Sequence, residues 1–242
     1  MKIKMYSDPI LYDCCTKHKV DDIPFYLNWA KKFDGTILEI GSGTGRIAAP
    51  LLGEGYSYSG LDLSSVFVDY SSKKYSNGNF IYGDMRNFSL SQKFDLIILP
   101  FNSFLHLLTE KDMKSCLHSI KKHLSENGFF ILDIFVPDPE FLYRDPIKKY
   151  KEMKIIHPTK GKIIIWQTSY FDEQDEINHI HWYFEGENIR VGEYEFDMRM
   201  IYPDTIDRVL TESGFSIEEK WGDYNGEKLN IDSALQLYIC SI

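Results

Sequence analysis

Apolar residues along the first 135 positions come in short runs that alternate with amphipathic stretches. Thr36–Ile40 has strand length and breaks at Gly41, and Arg46–Leu52 follows with Ile47, Leu51 and the alanines on one helical face. Tyr56–Leu61 reads as a second strand ending at Asp62, and Ser64 suits the N-cap of the next helix. Asn79–Tyr82 is a short third strand closed by Gly83-Asp84. Phe94–Leu99 is almost continuously apolar, as expected of a parallel strand covered on both faces. Thr109-Glu110-Lys111-Asp112 has the form of a capping box, with Asp in the Glu place. It opens a helix to about Leu124, with Gly128 as the stop and Phe129–Phe135 as a fifth strand.

The pattern then changes. Ile163–Phe171 and Ile177–Phe184 alternate strictly, joined by the acidic turn 172–176, and Arg190–Ile201 alternates as well, which predicts an antiparallel sheet. A helix at Pro203–Glu212, the stop Gly214, and strands near Phe215–Trp221 and Ala234–Cys240 resume the first pattern. The predicted fold class is α/β: a doubly wound, mostly parallel, seven-stranded Rossmann-like sheet with an antiparallel β insertion after the fifth strand. Residues 1–135 and 203–242 form the main domain of this reading, and 136–202 the insertion. In the insertion, Ile177, His179, His181 and Tyr183 share one face, and Asn178, Ile180, Trp182 and Phe184 the other. The His/Tyr face, with Arg199 nearby, is taken as the inner one, and Trp166 and Tyr170 as core of the insertion. Two histidines at i, i+2 invite a metal reading, but no further ligands follow at a matching spacing, so no metal is expected.

Of 242 residues, 43% are apolar and 26% charged, which are globular values. A net charge of −9 argues against a broad nucleic-acid surface, which needs clustered Lys and Arg. No apolar run approaches the ~20 residues of a membrane span, and Met1-Lys2-Ile3-Lys4-Met5 has no apolar core behind it, so no secretory signal is expected. Four cysteines without CxxC spacing read as reduced thiols, which points to the cytoplasm.

The chemistry concentrates in Glu39-Ile40-Gly41-Ser42-Gly43-Thr44-Gly45-Arg46. Glycines at a strand end let main chain approach a ligand, and the amides of the helix start face it. A dinucleotide loop, G-x-G-x-x-G, would put glycine where Arg46 stands, and Glu39 suits a cationic ligand better than a pyrophosphate. The E-x-G-x-G-x-G pattern resembles motif I of class I S-adenosylmethionine (SAM)-dependent methyltransferases. Asp62, with Leu63 beside it, resembles the acid that accepts both ribose hydroxyls. Gly83-Asp84-Met85 resembles the third-strand motif at the adenine. Phe94–Ile97 with Pro100-Phe101-Asn102-Ser103 resembles the fourth-strand motif facing the methyl donor.

Within that family the chain is most similar to small-molecule enzymes such as amino-sugar and glycine N-methyltransferase-like members. The resemblance implies SAM as cofactor, bound by Glu39, Gly41, Ser42, Gly43, Gly45, Arg46, Asp62, Leu63, Asp84, Met85, Pro100, Phe101 and Asn102. It also implies Tyr12 and Tyr26 closing over the SAM carboxylate and sulfonium. His106 follows the fourth strand on the ligand-binding edge and is the expected base or orienting group, with Tyr12 as its catalytic companion. The insertion is the expected lid, with His106, His179, His181, Tyr183 and Arg199 toward the substrate. The expected partner is a small metabolite methylated on N or O, with no nucleic acid and no membrane. A homodimer is compatible with the sequence. The alternatives are a nucleic-acid or protein methyltransferase, and a SAM-binding protein without catalysis.

Overall fold

A computed structural model describes residues 5–186 and 189–242. The charged start read for a secretory signal, residues 1–4, lies outside them. Asp8 caps α1 (Pro9–Thr16), its carboxylate accepting from Leu11 N at 3.0 Å, with Pro9 at the first helical position. α2 (Ile23–Phe33) also starts with proline inside its first turn and stops at left-handed Asp34. β1 (Thr36–Ile40) leads into the glycine loop and α3 (Ala48–Gly53), which begins two residues later than the expected Arg46 because the loop continues through Ile47.

β2 (Ser57–Asp62), α4 (Ser65–Lys74), β3 (Asn79–Tyr82) and β4 (Phe94–Leu99) follow the predicted alternation. Ser64 caps α4 through Phe67 N at 3.2 Å. A 3₁₀ turn, Ser103–His106, precedes α5 (Glu110–His123), where Thr109 and Asp112 close the predicted box. α5 ends at His123, and β5 (Leu124–Phe135) runs straight on from it. Gly128 is therefore not the helix stop. It lies in the strand where a Cβ would come within 3.0 Å of the Phe94 carbonyl.

The main sheet has seven strands in the order β10-β11-β5-β4-β1-β2-β3, where β10 (Ser216–Trp221) and β11 (Leu235–Ser241) follow α7 (Pro203–Glu212). Only β11 runs against its neighbours. Each face carries its own core. On β4, Ile97 and Leu99 point into one and Leu96 and Ile98 into the other, which explains the unbroken apolar run. The sequence order reverses between β1 and β4, so their C-terminal ends open a crevice at the switch point.

After α6 (Pro139–Leu142), the strands β6 (Tyr150–His157), β7 (Gly161–Asp172), β8 (Ile177–Gly186) and β9 (Ile189–Arg199) form a separate four-stranded antiparallel sheet. Its inner face does not rest directly on the main sheet. Ile155, Ile163, Ile165 and Phe184 pack on Met5, Leu11, Cys14 and Cys15, so α1 lies against the insertion as its filling. The face expected inside is the outer one. Ile180 and Phe184 are buried and Trp182 packs inward, while His179 is exposed and Tyr170 stacks on it from the same side. Asn178 is also buried. Trp166 pairs with Tyr183 and Tyr170 with His179, which places both aromatics on that outer face and not in the core of the insertion.

Among the described residues no helix is long and apolar enough to cross a membrane.

Candidate active site

The crevice between β1 and β4 is lined by Tyr12, Glu39, Gly41, Ser42, Thr44, Arg46, Pro100, Phe101 and Ser103. Gly41 and Gly43 adopt φ of +72° and +55°, the left-handed region where a side chain is strained. A Cβ on Gly43 would sit 3.4 Å from the Tyr12 ring, so the loop presents bare main chain to whatever lies under that ring.

Asp62 closes the loop from β2. Its two oxygens accept from Gly43 N and Ser64 N, each at 2.8 Å. A carboxylate offers about four lone-pair positions, so acceptor capacity remains for two hydroxyls. Burial pushes its pKa up, and these two amides oppose that shift. Leu63 beside it is exposed at the rim.

Glu39, fully inside at the base of the crevice, accepts from the Tyr58 hydroxyl at 2.6 Å. Burial pushes its carboxyl up to about 8. Arg46 lines the crevice, but its guanidinium is already gripped. It makes a two-pronged pair with buried Asp22, at 2.7 Å on each side, and donates to the Lys19 carbonyl at 2.9 Å. Its plane stands 5.2 Å from the Phe101 ring centre. Of the five guanidinium N–H groups, two remain for a ligand.

The third-strand acid behaves differently from its expected role. Asp84 is clasped by Arg86 through Nε and Nη2, the latter at 2.6 Å, and this pairing holds its pKa below the usual range. Its carboxylate is therefore not free for an adenine amino group without leaving Arg86. Met85 packs against the core of the main sheet.

At the fourth strand, Pro100 and Phe101 line the crevice, but the Asn102 side chain does not. Its Oδ1 accepts from Phe135 N at 2.8 Å, tying the turn to β5. Asp95 lies at the opposite end of β4, accepting from Thr36 N and Ser125 Oγ, and so does not face a methyl donor.

Tyr26 is a second correction. It is fully buried, and its hydroxyl donates to Asp133 at 2.8 Å instead of facing the crevice. Asp133, unmarked in the sequence reading, also accepts from Tyr224 at 2.9 Å and from Phe101 N at 3.3 Å. An acid inside the otherwise apolar stretch 129–135 was the available signal. It holds Phe101 and Asn102 in consecutive left-handed conformations, φ +53° and +64°, at the crevice wall.

His106 stands in the 3₁₀ turn with Nε2 3.0 Å from the Tyr6 hydroxyl, and burial lowers its pKa. Tyr6, Tyr12, Phe67, Tyr194 and Phe196 complete an aromatic roof around it. Tyr6 carried no signal beyond its type. The other predicted substrate residues lie elsewhere. His179 pairs with Asp197 at 2.7 Å, His181 with Glu193 at 3.2 Å, and Tyr183 stacks on His181, all on the outer face. Arg199 donates to the Leu108 carbonyl and pairs with Glu176, clamping β9 to the segment before α5. Among the described residues no group of three or more His, Cys, Asp or Glu could hold a metal ion.

The cradle fits a SAM-shaped ligand in kind: left-handed glycines that expose main chain, a half-buried acid with spare acceptors, and an arginine with two free donors. The space left beneath Tyr12 is ≈ 20 Å³, about one water. The lining side chains, Tyr12 among them, must therefore shift before a nucleoside can lie there.

Residues 37–128 match the family model described as Methyltransferase domain. The Bacillus subtilis protein YqeM, named only as a methyltransferase, is 25% identical over 196 residues, 70% of this chain and 76% of its own. A dTDP-3-amino-3,6-dideoxy-alpha-D-glucopyranose N,N-dimethyltransferase of Streptomyces fradiae is 22% identical over 80% of this chain and 75% of its own. The crystal structure of an S-adenosylmethionine-dependent methyltransferase from Clostridium acetobutylicum shares the fold, with TM-score 0.80, 18% identity and 96% of both chains covered. The matched stretch runs from β1 into β5 and holds the glycine loop, Asp62 and the switch-point crevice, so over those residues the chain is similar to methyltransferase domains, and its fold is that of S-adenosylmethionine-dependent methyltransferases.

Proposed function

We propose that the chain transfers the methyl group of SAM to nitrogen or oxygen of a small metabolite, with the amine of a nucleotide-linked amino sugar as the first acceptor to test. The observation that carries this reading is the roof over the crevice. Tyr6 and Phe196 meet His106 from the N-terminal segment and from the insertion, and Tyr12 and Tyr194 pack on Tyr6, which makes the approach aromatic. The amino-sugar activity named for the Streptomyces fradiae relative supports a nitrogen acceptor.

In this reading, residues 1–135 and 203–242 hold the cofactor and 136–202 cover the substrate. Gly41–Gly45 and the spare donors of Arg46 take the amino-acid end, and Asp62 the ribose. SAM supplies an already activated methyl group, so the protein's work is alignment and exclusion of water, which in model reactions is worth roughly 7–11 kcal/mol. Tyr12 holds the cradle closed until a ligand displaces it. The four unpaired thiols fit a cytoplasmic setting.

Titration calorimetry with SAM and with S-adenosylhomocysteine (SAH) tests the cofactor half. Transfer of label from methyl-tritiated SAM to a dTDP-amino hexose tests the acceptor half. Cofactor binding with no labelled sugar or other small metabolite would remove the small-molecule reading.

A further inference from the structure

The turn after β4 is held in a conformation its own residues do not favour. Phe101 and Asn102 take φ of +53° and +64° in succession, the left-handed region that strains any residue with a Cβ. One position of β5 holds both. The Asp133 carbonyl accepts from Asn102 N at 3.1 Å, and its carboxylate accepts from Phe101 N at 3.3 Å.

That carboxylate is in turn fixed from two distant parts of the chain. The same oxygen, Oδ2, accepts from Tyr26 of α2 at 2.8 Å and from Tyr224, between β10 and β11, at 2.9 Å. Asp133 is 1% exposed. Burial pushes its pKa up, and the two hydroxyls and the Phe101 amide oppose that shift.

The Tyr224 segment also reaches the crevice by a second route. Lys19 Nζ lies 4.4 Å over the Tyr224 ring, and the Lys19 carbonyl accepts from Arg46 at 2.9 Å. The Arg46 guanidinium faces the Phe101 ring at 5.2 Å. Contacts thus run in a closed circuit through Tyr224, Asp133, Phe101, Arg46 and Lys19. Of these five, only Phe101 and Arg46 line the crevice.

We propose that Asp133, braced by Tyr26 and Tyr224, is a positioning residue for the cofactor: it sets the Phe101 ring and, against that ring, the free donors of Arg46 at the amino-acid end of SAM. The proposal rests on the cofactor placement given above. It makes Tyr224, which does not line the crevice, a determinant of cofactor affinity. With one brace removed, the carboxylate holds Phe101 less firmly and the turn relaxes away from its strained form. Binding must then order the wall as well as the ligand, and affinity falls.

Tyr224→Phe removes a single hydroxyl and leaves the ring over Lys19. Calorimetry with SAH should show affinity falling by about 10-fold in Tyr224→Phe and in Tyr26→Phe, the lower end of what a hydrogen bond to a charged group is worth. Asp133→Leu should fall at least as far, and adding Tyr224→Phe to it should change nothing further, because the hydroxyl has lost its partner. Tyr238→Phe is the control for stability alone. It removes a buried hydroxyl of β11 that meets Gln236 and the Pro203 carbonyl, and its SAH affinity should stay within about twofold of wild type.

Tyr224→Phe affinity within about twofold of wild type overturns the proposal, even where Asp133→Leu does not fold. So does an equal loss in Tyr238→Phe, which would make the effect one of general loosening. Wild type that does not bind SAH removes the cofactor placement itself, and the proposal with it.

Discussion

Asp62 accepts two amides and is half-buried at the end of β2, so replacing it removes the acceptors a ribose needs and also the partner of Gly43 N. Hydrogen bonds to a charged group are worth about 1.5–3 kcal/mol each, so losing both ribose contacts in Asp62→Ala should weaken SAH binding by about 10²–10⁴-fold in calorimetry. Unchanged affinity would mean that the nucleoside lies elsewhere. Glu39 predicts a pH effect. Its carboxyl sits near 8 when folded, because burial disfavours the charge, against about 4.3 in an unfolded chain. Between those values the folded chain keeps a proton that the unfolded chain has lost, so this group's stabilising contribution is complete below about pH 4 and is lost as pH rises through 8. Glu39→Gln, which can still accept from Tyr58, should gain on wild type in thermal denaturation from about pH 5 to pH 9. Parallel curves would place an ionised Glu39 in the folded protein. Both residues were legible in the sequence because they sit within one local motif at a strand end. Asp133 and Tyr26 were not, because the contact joining them spans 107 positions and only the folded sheet brings them together.

At the scale of elements, the main sheet was readable strand by strand, since each strand's apolar run reflects burial on two faces. β6 escaped the reading because a bulge between Lys151 and Met153 breaks its alternation. Which face of β8 turns inward could not be read either. Both faces carry aromatics, and the choice was settled by α1, an eight-residue helix whose Asp-Pro start was the available but unused sign. The corrected face makes a direct prediction. Phe184→Ala, at a fully buried position, should cost roughly 3–5 kcal/mol of stability. His181→Ala, across the strand on partly exposed ion pairs, should cost under about 1 kcal/mol. Chemical denaturation of the two variants checks this, and the reverse order would return the histidine face to the inside.

For the molecule as a whole, one short helix joins two bodies of structure. α1 carries Tyr12 toward the glycine loop on one side and Leu11, Cys14 and Cys15 toward the insertion on the other. A ligand that displaces Tyr12 therefore also disturbs the seat of the insertion. The cysteines make that coupling measurable. Cys15 is buried with its thiol pushed up to about 12 by burial, and Cys14 is covered beside it, while Cys116 and Cys240 lie in the core of the main sheet. Alkylation followed by mass spectrometry should label Cys14 and Cys15 well before Cys116 and Cys240. Saturating SAH should change the labelling rate of the first pair and leave the second pair governed by global unfolding. Equal rates at all four would mean the helix and the insertion part only when everything does. The adjacent thiols are thus a built-in stopwatch: each modified sulfur records one breath of the enzyme, with no probe added to the site.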